Sequence, residues 1–164
     1  MTISPISADE FRMAMRQWAS GVTIVAAEAN GVRHGMTASS FTSISAAPPM
    51  VLVSMAADTR THALVKQSGG FGVTILNESQ REVSDRFAGR IPEAGERFEG
   101  VPYITMVTGS PLIVDGLAMF DCRVVNTYPM PGTTLFIAEV VAARVNDGAN
   151  PLLYFNRQYH RLQG

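Results

Sequence analysis

The sequence predicts a mainly β protein, an antiparallel barrel with a few short helices. Three observations carry that prediction. Short β-rich runs follow one another closely and are joined by hairpin and turn signals, not by the crossovers a parallel sheet requires. Two long runs, 117–127 and 134–145, are separated by the turn Pro129-Met130-Pro131-Gly132. Glycines recur along the chain, and the helical segments are short enough to serve as plugs or packing elements of a small closed barrel.

Each element has its own signal. Residues 8–20 read as a helix, because Phe11, Ala14, Met15 and Trp18 fall at helical spacing. Ser7 and Glu10 fit a capping box at its start, and Gly21 suits its stop. Val22 to Glu28 is β-rich, and Asn30-Gly31 is a strong hairpin signal that makes the stretch from His34 to Ser45 the return strand and the loop after it. Pro48-Pro49 blocks a helix and leads in extended conformation into a strand at 50–55. A short helix is expected over 59–68, ended by Gly69-Gly70, and a strand from Phe71 to Leu76. Ser79 and Glu82 again fit a capping box, opening a helix over 80–88 with Val83 and Phe87 four apart. Residues 89–102 combine glycines and prolines with Arg90, Glu93, Glu96, Arg97 and Glu99, and read as an exposed loop. Further strands are expected near 103–107 and 112–114, then the two long runs, then a last segment Leu152-Leu153-Tyr154-Phe155 after Asn150-Pro151.

Composition narrows the function. The 164 residues fit one domain, 1–164, large enough for a full core. With 46% hydrophobic and only 16% charged residues, the chain carries more apolar surface than a monomer of this size comfortably buries, which points to a homodimer. The net charge of -1 and the absence of any Lys/Arg run argue against nucleic acid and anionic membrane as partners. A single cysteine, Cys122, excludes an internal disulfide and a thiolate zinc site, and its apolar neighbours make it a small buried hydrophobe. No signal peptide is apparent and no apolar run is long enough to span a bilayer, so cytoplasm is the expected location.

The search for chemistry is mostly one of exclusion. His34, His62 and His160 are scattered without metal-ligand spacing, and each reads as a surface or hydrogen-bonding histidine; no metal is expected. There is no nucleophile elbow, no convincing carboxylate pair, no Walker loop, and Gly69-Gly70-Phe71-Gly72 lacks the strand-before, helix-after context of a dinucleotide fingerprint. What remains is hydroxyls and arginine. The stretch from His34 to Ser45 is rich in hydroxyls between two apolar runs, so these groups either satisfy each other or face a polar ligand. Thr59-Arg60-Thr61 stands at a helix N-terminus and reads as a phosphate site or as ordinary capping. Arg157 lies among Tyr154, Phe155 and Tyr159, a set suited to a flat ring or a phosphate, or to a C-terminal strap packed on the barrel.

Taken in order, several of these motifs carry a family resemblance. They are Gly21-Val22-Thr23-Ile24-Val25, Gly35-Met36-Thr37-Ala38-Ser39-Ser40-Phe41, Pro48-Pro49-Met50-Val51-Leu52-Val53-Ser54, Phe87-Ala88-Gly89 and Leu153-Tyr154-Phe155-Asn156-Arg157-Gln158-Tyr159. The chain resembles the short-chain flavin reductases from about residue 8 to 162, a family that includes the reductase components of two-component flavin monooxygenases. The resemblance implies an FMN-binding split β-barrel, with FMN or FAD held at a homodimer interface and NADH or NADPH as electron donor. It implies that Met36, Thr37, Ala38, Ser39 and Ser40 line the flavin, and that Ser54 and Met55 pass close to it. It likewise matches Thr59, Arg60 and Thr61 to the phosphate region, Phe87, Ala88 and Arg90 to the segment closing over the flavin, and Tyr154 and Arg157 to C-terminal residues near cofactor or nicotinamide. No catalytic side chain is expected, since hydride passes between cofactors.

One departure stands out. Many members of that family carry Gly-Asp-His before the strand ending in Glu-Val, with the histidine at the nicotinamide site; here Gly132 is followed by Thr133 and Thr134. Thr133, Thr134 and Tyr159 are therefore the nicotinamide-side candidates. Two functions follow from the resemblance: an NAD(P)H:flavin oxidoreductase supplying a partner monooxygenase, and, as the alternative, a flavin carrier or redox sensor with weak NAD(P)H turnover. A barrel that serves only as an interaction module is the reading outside flavins.

Overall fold

The computed structural model describes residues 4–92 and 95–163. Its elements run α1 (Ala8–Met15), β1 (Ser20–Gly21), β2 (Thr23–Ala29), β3 (Val32–Ala38), β4 (Thr42–Ala46), β5 (Pro49–Ala56), α2 (Arg60–Ser68), β6 (Gly70–Ile75), α3 (Arg81–Phe87), β7 (Tyr103–Ile104), β8 (Leu112–Ile113), β9 (Ala118–Met130), β10 (Thr133–Val145), β11 (Leu153–Phe155) and β12 (Gln158–His160). Seven strands form one antiparallel sheet in the order β3-β2-β6-β9-β10-β5-β4.

The sheet curls without closing. Laid flat, β3 and β5 would stand about 24 Å apart at ~4.8 Å per strand. Yet Ala38 of β3 and Val51, Val53 and Met55 of β5 share one buried cluster with Val25, Phe71, Cys122 and Phe136. The Ser40 hydroxyl also donates across this gap to the Ser54 carbonyl at 2.8 Å. The two outermost strands, β3 and β4, are consecutive in the chain and are not paired with each other. The result is a mainly β, split-barrel arrangement in place of a hydrogen-bonded closed barrel. Period-two burial builds its interior: Val51, Val53 and Met55 on β5 and Thr134, Phe136 and Ala138 on β10 all point inward. Helix α2 contributes Leu64 and Val65 to the same core. It is capped at its start by Thr59, whose side chain accepts from the His62 N–H, and stopped by Gly69 at φ 73°.

A second core lies on the other face of β2 and β6. Val22, Ile24, Ala26 and Leu76 meet Phe87 of α3, Phe98, Ile113 and Leu152, with Tyr154 and Tyr159 packed at the margin. Gly35 permits this: a Cβ there would stand 2.8 Å from the Phe87 ring, so α3 sits closer to β3 than any side chain would allow. This packing sets α3 and the β11–β12 hairpin beside the end of β3.

Several sequence expectations need correction. Helix α1 has the expected capping box but ends at Met15, and Ser20–Gly21 pairs with β11 as a strand. Its apolar residues Phe11, Met15 and the following Trp18 are exposed, so the helical face covers no core within this chain. The Ser79–Glu82 capping box does not form: the Ser79 hydroxyl and N–H both donate to Asn77 Oδ1, and Gln80 takes the N-cap position without a side-chain capping bond to the helix. The hydroxyl-rich stretch after Ala38 is largely a strand, β4, instead of a loop. The turn between the long strands is only Pro131-Gly132, since β9 continues to Met130. The 89–102 segment is anchored, with Phe98 buried against Phe87 and Tyr103 and Arg97 Nη1 donating to the Gly35 and Phe87 carbonyls. Glu93 lies outside the described residues. The terminal segment is a hairpin, because Asn156 and Arg157 both take left-handed conformations without a glycine.

Candidate functional site

The strand β3 ends where β2 can no longer pair with it, and the Thr23 hydroxyl holds that end by donating to the Ala38 carbonyl at 2.7 Å. Beside it opens a cavity of ≈ 190 Å³ lined by Val22, Thr37, Ala38, Ser39, Ser84, Ala88, Arg90, Tyr154 and Tyr159. Seven of these, from Thr37 to Tyr159 without Val22 and Ser84, are residues singled out in the sequence. They come from β3, the end of α3 and the β11–β12 hairpin.

Hydrogen bonds fix the wall. Thr37 donates to the Ser84 carbonyl at 2.6 Å, tying β3 to α3. The Tyr159 hydroxyl donates to Asp85 Oδ1 at 2.8 Å, so its oxygen is left to accept from Ser84 Oγ at 2.8 Å and Arg90 Nη1 at 3.3 Å. Arg90 also donates to Asp85 at 3.0 Å and to the Tyr154 hydroxyl at 3.0 Å. Its guanidinium lies 5.6 Å and 5.7 Å from the two tyrosine ring centres. The bond to Tyr154, aided by Asp85, raises the Arg90 pKa further above its ordinary value. Burial pushes the Tyr159 phenol up, reinforced by Asp85 and opposed by Ser84 and Arg90. At neutral pH the wall therefore carries a fixed cation and a protonated phenol. Asp85 and Ser84 were not singled out in the sequence. Only the i, i+3 spacing of Ser84 to the core residue Phe87 pointed to its inward face.

The remaining candidates fall into separate groups. Ser40, Ser54 and Thr133 form a chain along the seam. The single Thr133 hydroxyl proton goes to the Met55 carbonyl at 2.9 Å, so Ser54 donates to Thr133, also at 2.9 Å. Thr134 is buried and bonded to His62 Nε2 at 2.8 Å, and Thr61 is buried against His34 Nδ1 at 2.8 Å. These two threonine hydroxyls face histidines of the same chain. Burial, with Lys66 nearby, lowers the His62 pKa and keeps that ring neutral. Met55 and Phe87 are core residues, and Met36 packs against the first core. Arg60 is exposed at the start of α2. Arg157 stands in the β11–β12 turn, in a groove that meets the cavity at Ser39 and Tyr154. Cys122 is buried, its thiol pushed up to about 12 by burial and by Asp121.

Comparison with known proteins decides the family. A model of the flavin reductase like domain matches residues 15–163. The chain belongs to the flavin reductase like domain family. Over 153 residues this flavin reductase-like chain is 39% identical to the NADH-dependent flavin reductase StyB of Pseudomonas fluorescens, covering 92% of this chain and 87% of that one. It is 33% identical to the FMN reductase (NADH) RutF of Stutzerimonas stutzeri over 97% of this chain and 91% of the relative. The solved styrene monooxygenase flavin reductase of Pseudomonas putida S12 superposes with a TM-score of 0.83 at 38% identity, over 93% of this chain and 97% of the other.

The cavity suits part of a flavin. Small side chains, Val22, Ala38 and Ala88, leave an apolar slot beside β3 and the end of α3, and Tyr154 and Tyr159 add aromatic surface. Ser39 is exposed at its mouth, and Arg90 supplies a charge-assisted donor for a carbonyl or phosphate oxygen.

Proposed function

We propose that this chain is an NAD(P)H:flavin oxidoreductase, using FMN with FAD also accepted, and NADH as donor. The observation that carries the reading is the cavity itself: it joins the Thr37–Ser39 strand end to Ala88, Arg90, Tyr154 and Tyr159, in a chain whose relatives are NADH-dependent flavin reductases. Thr37, Ala38 and Ser39 hold one edge of the flavin, Met36 and Ser40 setting the strand on either side. Arg90 and Tyr154 close over it from α3 and β11. Thr59 and Arg60 offer a helix N-terminus to a phosphate, while Thr61 acts indirectly by packing α2 on β3 through His34. A flavin held by these residues would supply the acceptor for the hydride of the nicotinamide. The protein's part is to bring two rings face to face and exclude water, which accounts for a cavity wall without an acid–base pair.

The reaction is tested by NADH oxidation with and without added flavin. Turnover that requires FMN or FAD is expected; none with either flavin overturns the reading. The internal bonding of Thr133 and Thr134 favours a second reading, a flavin carrier or redox sensor, since both hydroxyls are engaged inside the protein. That reading predicts tight flavin binding with negligible NADH turnover, and normal turnover counts against it.

The relatives also support a place for the chain as one domain in a two-component system, delivering reduced flavin to a separate monooxygenase. Among the described residues no helix is long and apolar enough to cross a membrane, and we place the enzyme in the cytoplasm, where NADH is at hand. We further propose a homodimer, formed through the apolar outer surface of β4, β9 and β10.

A further inference from the structure

Resting on the flavin reductase reading, we infer that the groove between α1 and the β11–β12 turn holds the adenosine-pyrophosphate half of a dinucleotide whose redox ring reaches the mouth of the neighbouring cavity. The groove has a volume of ≈ 340 Å³ and shares Ser39 and Tyr154 with that cavity, so one extended ligand can lie in both. Its chemistry is that of a phosphate and a flat base. Arg12, Arg16 and Arg157 line it together with Trp18. Arg12 is held by Asp9 at 2.7 Å. The other two guanidiniums have no ion pair among the described residues. Arg16 Nε is buried with no hydrogen-bond partner. A buried charged donor left unpaired is costly, and a phosphate oxygen entering the groove supplies the missing acceptor. The carboxylates of α1 do not compete for it: Asp9 pairs with Arg12 and Glu10 with the Ser7 cap.

The groove is held in shape. The Asn156 N–H donates to the Arg16 carbonyl at 3.1 Å, which ties the end of α1 to the turn carrying Arg157. Trp18 is 71% exposed and packs in neither core, leaving an indole face open for a base to stack on. In a chain of net charge -1 this local cluster of arginines is selective for an anion. FMN has no adenosine-pyrophosphate half to place there. NADH and FAD share the adenosine-pyrophosphate group; NADH supplies it with the flavin phosphate still at the N-terminus of α2, and FAD supplies it only if its pyrophosphate leaves that helix for the groove.

The test uses ADP-ribose as probe, titrated calorimetrically into the wild-type protein and into Arg16→Met and Arg157→Asn, with FMN binding followed by fluorescence quenching on the same samples. Arg157 is exposed at φ 64°, a conformation asparagine accepts, so this variant stays folded even where Arg16→Met does not. ADP-ribose is expected to bind wild type and to bind each folded variant about tenfold more weakly, the factor of one charge-assisted phosphate contact, with FMN affinity held within about twofold. A matching rise in the NADH KM, absent with reduced nicotinamide mononucleotide, names NADH as the source; a loss of FAD but not FMN affinity names FAD. ADP-ribose binding that is equal in all three proteins, or absent in a wild type that still binds FMN, overturns the groove and leaves the flavin site standing. A wild type that binds neither probe overturns both.

Discussion

Asp85 never lines the cavity, yet one of its carboxylate oxygens takes the Tyr159 hydroxyl at 2.8 Å and Arg90 at 3.0 Å. Through Arg90 it also places Tyr154. Asp85→Asn keeps the size and removes the charge that holds both donors. Hydrogen bonds to a charged group contribute about 1.5–3 kcal/mol, so a roughly tenfold or larger fall in kcat/KM for flavin-dependent NADH oxidation is expected. Steady-state kinetics check this, and an unchanged kcat/KM shows that the wall holds its shape without the carboxylate. His62 gives a prediction of stability. Burial beside Phe136 and Lys66 lowers its pKa, so the folded protein keeps the ring neutral, bonded to Thr134, while the unfolded chain takes a proton near pH ~6.5. The unfolded state then binds more protons, and stability rises with pH through this window. It is fully present above about pH 6.5 and is lost as pH falls from there toward the depressed folded value. Thermal melts across that range should show a falling Tm, and His62→Gln should flatten part of the fall.

Elements whose signals are local and whose faces meet this chain's own core were legible in the sequence. The Asn30-Gly31 turn takes φ 51° and 78°, as a tight hairpin requires, and β5 alternates as its apolar pattern does. Thr37, Ala38, Ser39, Ala88, Arg90, Tyr154 and Tyr159, scattered over the sequence, do converge on one cavity. What was not legible depended on a partner outside the local window. The spacing of Phe11, Met15 and Trp18 says that α1 has an apolar face, not what covers it. The β11–β12 hairpin was missed because its turn uses Asn156 and Arg157 where glycine was the signal to look for. Asp85 was invisible because its partner Tyr159 reaches α3 only through the fold. The approach of α3 to β3 is the element-scale feature most open to test. Gly35→Ala places a Cβ 2.8 Å from the Phe87 ring and 3.2 Å from the Ala26 Cβ. Relief requires the Phe87 ring, or α3 with it, to move, and overpacking of this kind costs about 1–3 kcal/mol. Urea unfolding should report that loss, and flavin affinity should fall with it, since Ala88 and Arg90 follow directly on α3.

At the scale of the whole molecule, one group of the apolar residues that no core absorbs lies on the outer surface of the sheet, apart from those of α1. Ile44 on β4, Val125, Tyr128 and Met130 on β9 and Val145 on β10 are each about half exposed or more. Beside them a groove of ≈ 450 Å³ runs between β4–β5 and β9–β10, walled by Phe41, Met50, Phe120, Val140 and Val141. Scattered exposed hydrophobes need no explanation, but several on neighbouring strands around an apolar groove mark an interaction surface. A second copy of the same chain is the simplest occupant, because a two-fold pairing brings like apolar patches together and satisfies both at once. Sedimentation at micromolar concentration should therefore report twice the 17.7 kDa chain mass. Val141→Asp puts a charge into the groove wall at a half-buried residue that belongs to neither core. It should shift sedimentation to the monomer while far-ultraviolet circular dichroism stays unchanged. If flavin affinity falls in parallel with dimer content, the partner helps complete the flavin site; if the monomer binds FMN as tightly as the dimer, the cavity of a single chain is sufficient. A wild type that sediments as a monomer removes the homodimer and leaves the apolar surface to another partner.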